Sequence, residues 1–250
     1  MCASEQSRLD RQCYGGFMKN TLHRNTLVGQ LDRHCHHQLL KHGDWVELVL
    51  GQQLRAPDVK IEHAFFPTCG VIALIMQQQA DKPLALALLG HEGMLGIAPA
   101  LGVRFEPYIA TVLSAGMALR ISIRHLSALR ASNKGFCMAI DHYIAVLSAQ
   151  FAQAIVCNGL HDLQQRLARL LLTYSDRLSQ TDFAMTQELL ARLLGVRRSG
   201  INKAASALQQ AHILHYSRGQ MHILNPAALA EKACQCYGMD KQTYQTVMHV

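Results

Sequence analysis

Thr186-Gln187-Glu188-Leu189-Leu190-Ala191-Arg192-Leu193-Leu194-Gly195-Val196-Arg197-Arg198-Ser199-Gly200-Ile201-Asn202-Lys203 decides how this 250-residue chain is read. It has the pattern of a helix-turn-helix, in which the second helix enters the DNA major groove. Ala191 is small where two helices must cross closely. Gly195, four residues on, can take the left-handed conformation that ends the first helix. Leu190, Leu194, Val196 and Ile201 are apolar where the pair packs on itself. Beyond the turn, Ile201, Ala204 and Leu208 recur at helical spacing and face inward. Arg198, Ser199, Asn202, Lys203 and Ser206 are left on the outer face, with side chains able to reach phosphates or base edges. Thr186, Gln187 and Arg197 complete the expected DNA-binding set. No acid occurs between Glu188 and Glu231, whereas Arg192, Arg197, Arg198, Lys203 and Arg218 are all basic. A solvated helical hairpin could share the apolar spacing; the small residue, glycine and basic face together favour DNA.

Downstream, Ile213-Leu214-His215-Tyr216-Ser217-Arg218-Gly219-Gln220-Met221-His222-Ile223-Leu224 alternates apolar and polar residues on both sides of Ser-Arg-Gly-Gln. Such a pattern predicts two short antiparallel strands. A hairpin directly after a recognition helix is the wing of a winged helix, and Arg218 at its tip is placed to meet a phosphate or the minor groove.

With these residues the stretch from Met185 to Gly238 resembles the DNA-binding domain of the catabolite-activator and fumarate-nitrate-regulator (Crp/Fnr) family of bacterial transcription factors. The Gly195-Val196-Arg197-Arg198 turn and the Tyr216-Ser217-Arg218-Gly219 wing carry the resemblance. It implies that Arg198, Ser199 and Lys203 read bases. The family often has an acid where Ser199 stands, which bears on the preferred base.

A net charge of +7 and a pI near 9.1 favour a polyanionic partner. Half the residues are hydrophobic, which suits a globular chain of one or two domains. No run approaches the roughly 18 apolar residues of a membrane span, and Met1 to Gln6 lack the pattern of a secretory signal. A cytoplasmic protein with no membrane partner is expected. Eight cysteines (Cys2, Cys13, Cys35, Cys69, Cys137, Cys157, Cys234, Cys236) are scattered without a Cys-x-x-Cys, as reduced thiols would be. Some relatives hold an iron–sulfur cluster on closely spaced N-terminal cysteines. Cys2 and Cys13 do not have that spacing, and no metal site is expected.

Residues 1–26, polar and aperiodic, are expected to form a mobile tail, and a short helix is expected from Gly29 to Lys41. This helix holds His34-Cys35-His36-His37, with His42 beyond. A metal site needs three or four converging ligands, so the cluster is read as a solvated face. From Trp45 to Ile123 short apolar runs (46–50, 64–66, 71–75, 84–89, 110–113 and 118–121) alternate with Gly, Pro or polar breaks, predicting an antiparallel β-roll or jelly roll. Gly51 to Ile75 resembles the sensory roll of the same family. In members that bind cyclic nucleotides, a short helix after a glycine holds the phosphate, and an acid and an Arg-Ser pair complete the site. The matching stretch is Gly93-Met94-Leu95-Gly96-Ile97, the candidate effector pocket. Ile97 stands about where the acid belongs and Pro107-Tyr108 about where Arg-Ser belongs. Arg104 is nearby but out of register. A buried phosphate without a cation is costly, so no cofactor, and in particular no cyclic nucleotide, is expected.

From Asn133 to Asn158 the period is helical again. Phe136, Ile140, Tyr143, Leu147 and Phe151 form an apolar stripe, which is expected to pair with its copy in a dimer. Cys157-Asn158-Gly159 should end this helix and Asp162 begin the next, with Leu163, Leu167, Leu170, Tyr174 and Leu178 inward. Pro226 to Tyr237 reads as a terminal helix.

The expected architecture is α+β. It comprises a tail (1–26), an N-terminal antiparallel β-roll sensor (27–132), a long dimerisation helix and hinge (133–159), and a C-terminal winged helix-turn-helix domain (160–250). The function implied is a sequence-specific transcription regulator, not an enzyme. It would bind double-stranded DNA as a homodimer on a near-palindrome, with RNA polymerase admitted as a further partner. Two alternatives stay open: a true cyclic-nucleotide-responsive regulator, and a cupin-type metal enzyme built on His63 and His91-Glu92.

Overall fold

A computed structural model describes residues 22–77 and 83–249. Cys2, Cys13 and most of the expected tail lie outside them. The elements in chain order are α1 (Thr26–Gly29), α2 (Arg33–His42), β1 (Gly43–Leu48), β2 (Gln53–Arg55), β3 (His63–Gln77), β4 (Pro83–Leu89), α3 (Ile97–Ala100) and β5 (Ile109–Ser122). They continue as α4 (Ile123–Ser132), α5 (Lys134–Leu160), α6 (Leu163–Leu178), β6 (Asp182–Ala184), α7 (Gln187–Leu194), α8 (Arg198–Gln210), β7 (Leu214–Ser217), β8 (Gln220–Ile223), α9 (Pro226–Lys232) and α10 (Cys236–Met248). By internal contacts the chain divides into two units. One holds the described residues up to Ile72 with Leu89–Ile144; the other holds Ala73–Leu88 and the described residues from Ala145 on. The expected boundaries at 132 and 159 differ from this division, which falls inside α5 and assigns the far end of β3 and all of β4 but Leu89 to the second unit.

The larger sheet runs in the order β1-β5-β3-β4, with β2 also on β5. The runs 64–66 and 71–75 are one strand, as are 110–113 and 118–121. The glycines read as breaks are where two strands touch. A Cβ on Gly116 would stand 2.2 Å from the Cys69 carbonyl oxygen, and one on Gly70 2.8 Å from that of Ser114. Only glycine allows so close a backbone approach within a strand. The expected tail ends too late: Leu22, Asn25 and Leu27 are buried. The Asn25 amide donates to the Pro67 and Gly93 carbonyls at 2.8 Å each, so residues 22–26 are bound to the roll.

Helix α5 is capped at its start by Asn133, whose Oδ1 accepts from Phe136 N at 2.8 Å. It runs past Asn158 and Gly159 to Leu160, because Asp162, with a capping box to Gln165, sets the next helix start. Phe136, Ile140, Tyr143 and Leu147 correct the expected dimer stripe: all four are at most 2% exposed within their own chain, and Phe151 is half-buried. They form intramolecular core and are not available to a partner. The outward face carries Met138, Ala145, Ser148, Ala152 and Ile155. The expectation of no membrane-length apolar run is also corrected, since α5 is long and apolar enough to cross one, with a mean hydropathy of 1.4 over its most apolar window. Part of that window is buried in the chain, as in the core helix of a globular protein.

Candidate nucleic-acid interface

The second unit builds a winged helix from a small three-stranded sheet, β6-β8-β7, and helices α6 to α9. Thr186 caps α7, its Oγ1 accepting from Leu189 N at 3.1 Å. Gly195 ends that helix at φ 65°, the left-handed conformation its position required. Val196 N then closes the turn on the Ala191 carbonyl at 3.0 Å. Helix α8 buries Ile201, Ala204, Ala205 and Leu208, and this fixes its opposite face. Arg197, Arg198, Ser199, Asn202, Lys203 and Ser206 are all exposed there, at the start of the helix and along one side.

The wing turn is Ser217-Arg218-Gly219-Gln220, with Ser217 paired to Gln220. Arg218 at φ 50° and Gly219 at φ 81° make it a two-residue turn with both central residues left-handed, the type that matches strand twist. Three contacts tie the wing to the segment that enters α7, to α7 and to α8. Met185 N donates to the Gly219 carbonyl at 2.8 Å. Tyr216 accepts from Gln187 N through its hydroxyl at 3.2 Å, and its own N–H donates to Gln209 Oε1 at 2.9 Å. Gln187 also donates from Nε2 to Asn202 Oδ1 at 3.3 Å, joining the first helix to the recognition helix. Thr186, Gln187, Asn202 and the wing tip are therefore neighbours.

Thr186 has a structural duty beside any DNA contact. Thr186→Ala is expected to lower stability by about 0.5–2 kcal/mol, measured by urea unfolding, because an N-cap is lost. The strand Asp182–Ala184 was not foreseen. Three residues with one large apolar side chain, Phe183, give no periodic signal, and β6 forms by pairing with β8.

In the first unit the effector stretch is closed over. Met94 and Leu95 are buried, a Cβ on Gly93 would stand 2.0 Å from the Tyr143 hydroxyl, and Leu95 N donates to the Phe65 carbonyl at 2.9 Å. Gly96, at φ 112°, lies beneath Arg55, whose NH2 would be 3.3 Å from a Cβ there. Arg55 is a cation the sequence reading missed because it is distant in the chain; Arg104, the one considered, is exposed. Arg55 faces Glu106 at 3.5 Å and donates to the His63 carbonyl at 3.0 Å. Glu106 in turn accepts from Ala98 N at 3.1 Å, at the start of α3. Burial pulls the Arg55 guanidinium below its usual pKa, with Glu106 opposing. Burial likewise pushes the Tyr108 phenol up, with Glu106 adding to the shift. Elsewhere His34 and His37 are exposed on α2, and His42 stacks on His125 at 4.3 Å between centroids. The buried Glu92 carboxylate is taken by Gly90 N at 3.0 Å. Among the described residues, His63, His91 and Glu92 do not converge as metal donors.

The model of the Crp-like helix-turn-helix domain matches residues 165–232. No curated protein matches the chain. Among solved structures the chain is similar to FixK2 from Bradyrhizobium japonicum (14% identity, 77% of this chain and 98% of that one, TM-score 0.67). It is also similar to the global regulator CLP of Xanthomonas campestris, described as responsive to c-di-GMP (16% identity, 77% and 99%, TM-score 0.64). A third is a CooA mutant from Carboxydothermus hydrogenoformans (16% identity, 86% and 96%, TM-score 0.60). Residues 165–232 thus match the Crp-like helix-turn-helix domain, carried on a chain with the fold of solved Crp/Fnr-family regulators.

Proposed function

We propose that the protein is a cytoplasmic, homodimeric transcription regulator that binds a near-palindromic operator. The observation that carries this is the exposed, acid-free face of α8, flanked by the wing tip at Arg218. Contacts to phosphate from Arg197 and Arg218 supply affinity, and Arg198 with Ser199 and Lys203 supplies base selection. Two copies joined along α5 would present two recognition helices to successive turns of one DNA face.

Cyclic nucleotide is not the effector in this reading. The roll's buried cation is already matched by Glu106, and the N–H at the start of α3 already has a carboxylate acceptor. A phosphate entering there would have to displace Glu106 into water. Calorimetry with cyclic AMP and cyclic GMP should give no binding heat; micromolar affinity with enhanced DNA binding would establish the other reading.

The DNA reading is tested by comparing Arg198→Ala with Arg218→Ala on cognate, single-base-variant and random duplexes across a salt series. Arg198→Ala should cost roughly 1–3 kcal/mol of discrimination at one base pair per half-site. Arg218→Ala should weaken all sequences alike and reduce the salt slope by about 0.9 per phosphate contact. Equal losses on every sequence for Arg198→Ala would remove it from base reading.

A further inference from the structure

Four side chains that are scattered in sequence meet in the second unit. Cys157 lies in the last turn of α5, and His161 follows in the joint to α6. Cys234 sits between α9 and α10, and Cys236 opens α10. Their donor atoms all lie within 4.8 Å of one another. Cys157 Sγ is 3.5 Å from Cys234 Sγ, and Cys236 Sγ is 3.4 Å from His161 Nδ1. The three cysteines are 2%, 4% and 0% exposed and are not disulfide-bonded.

We propose that these residues are a tetrahedral Cys3His site for one zinc ion, which staples the end of α5 to the junction of α9 and α10. Zinc bonds of about 2.3 Å to sulfur and 2.0–2.1 Å to nitrogen put neighbouring donors about 3.5–3.8 Å apart around a tetrahedron. The Cys157–Cys234 and Cys236–His161 separations are close to that. An iron–sulfur cluster would spread its ligands over several irons and hold the sulfurs further apart. All four positions are filled by protein, which is the closed arrangement of a structural zinc site, with no place left for water or substrate.

The surroundings suit a site of net charge −1, three thiolates and one dication. Gln153 Nε2 donates to Cys236 Sγ at 2.9 Å, the kind of outer hydrogen bond that orients a ligand. The charges of Arg166 and Arg169 both interact with Cys157, and Arg169 also pairs with Asp240 at 2.6 Å. Zinc deprotonates coordinating thiols outright, so loading releases one proton from each of the three cysteines. Arg166 links the site to the DNA-binding helices: it donates to Asn158 Oδ1 at 2.5 Å and to the Leu194 carbonyl at 2.6 Å, one residue before the Gly195 turn. The site was not legible in the sequence because a Cys-x-x-x-His and a Cys-x-Cys lie far apart and neither alone is a zinc motif.

The test uses the full-length protein, purified with zinc and separately with cobalt, without added chelator. One zinc ion per chain is expected by elemental analysis, and the cobalt form should show the intense ligand-field absorption of a tetrahedral ion with thiolate-to-cobalt charge transfer. Cys234→Ser and His161→Gln should each lose stoichiometric binding. Gln153→Ala should keep the cobalt spectrum and bind about 10–100-fold more weakly, as expected for an outer-sphere partner. Chelation should lower the thermal transition of the wild-type protein. Metal-free protein, weak six-coordinate cobalt absorption, iron with inorganic sulfide, or a Cys157–Cys234 disulfide in the purified protein would each overturn the proposal. The spectra of the wild-type protein decide this even where a variant fails to fold, and they do not depend on DNA binding.

Discussion

Ala152→Arg is expected to turn the protein into a monomer in light scattering and to cut affinity for a two-half-site operator by roughly 10²–10⁴-fold, the gain that linking two binding units provides. The residue is chosen from exposure. Ala145, Ser148, Ala152 and Ile155 are exposed along α5 at spacings of three, four and three, with Met138 one heptad before Ala145, the repeat of a coiled-coil seam. Small residues in the middle allow two helices to approach closely, and an arginine there would set two like charges against each other across the seam. Because Ala152 faces outward, the variant should keep the thermal transition of the monomer fold and its contact with a single half-site. A variant that remains a dimer would move the interface off this face. Leu147→Asp, in the stripe that periodicity singles out, cannot make the distinction, since Leu147 is 1% exposed and the change would bury a charge in the chain's own core.

Glu106→Ala is expected to destabilise the first unit by about 3–5 kcal/mol, seen as a lower urea midpoint. It leaves the Arg55 guanidinium, with a side chain only 6% exposed, buried without its counter-charge. It also removes the acceptor of Ala98 N. Replacing both partners with apolar residues, as in Arg55→Met with Glu106→Leu, should recover much of the loss, because a buried ion pair is costly to break and cheap to replace. Neither change should alter base preference. A loss below 1 kcal/mol for Glu106→Ala would mean that water or another anion reaches Arg55.

Local rules made the DNA-binding half legible. Gly195, the buried set of Ile201, Ala204 and Leu208, and the Arg218-Gly219 turn each have a short-range cause, and the structure places them as their spacing required. Periodicity correctly found α5 but misjudged which face was free. An apolar stripe says that a surface is covered, and here Phe136, Ile140, Tyr143 and Leu147 are covered within their own chain. Ends were missed where a polar residue has tertiary work: Asn25 holds residues 22–26 on Pro67 and Gly93. The terminal helix was read as one because nothing local reveals that Cys234, between α9 and α10, meets Cys157. Arg55 with Glu106, and the Cys157-His161-Cys234-Cys236 group, are juxtapositions made by topology, which single-sequence spacing does not encode.

Selection of bound duplexes from a random pool by the full-length protein, followed by a salt titration on the winner, bears on the DNA-binding dimer with the fewest intermediate steps. Two inverted half-sites are expected, their centres about 10 base pairs apart, with affinity falling steeply as salt rises. Enrichment of no sequence, or of a single undyadic site bound equally well at low and high salt, would contradict it.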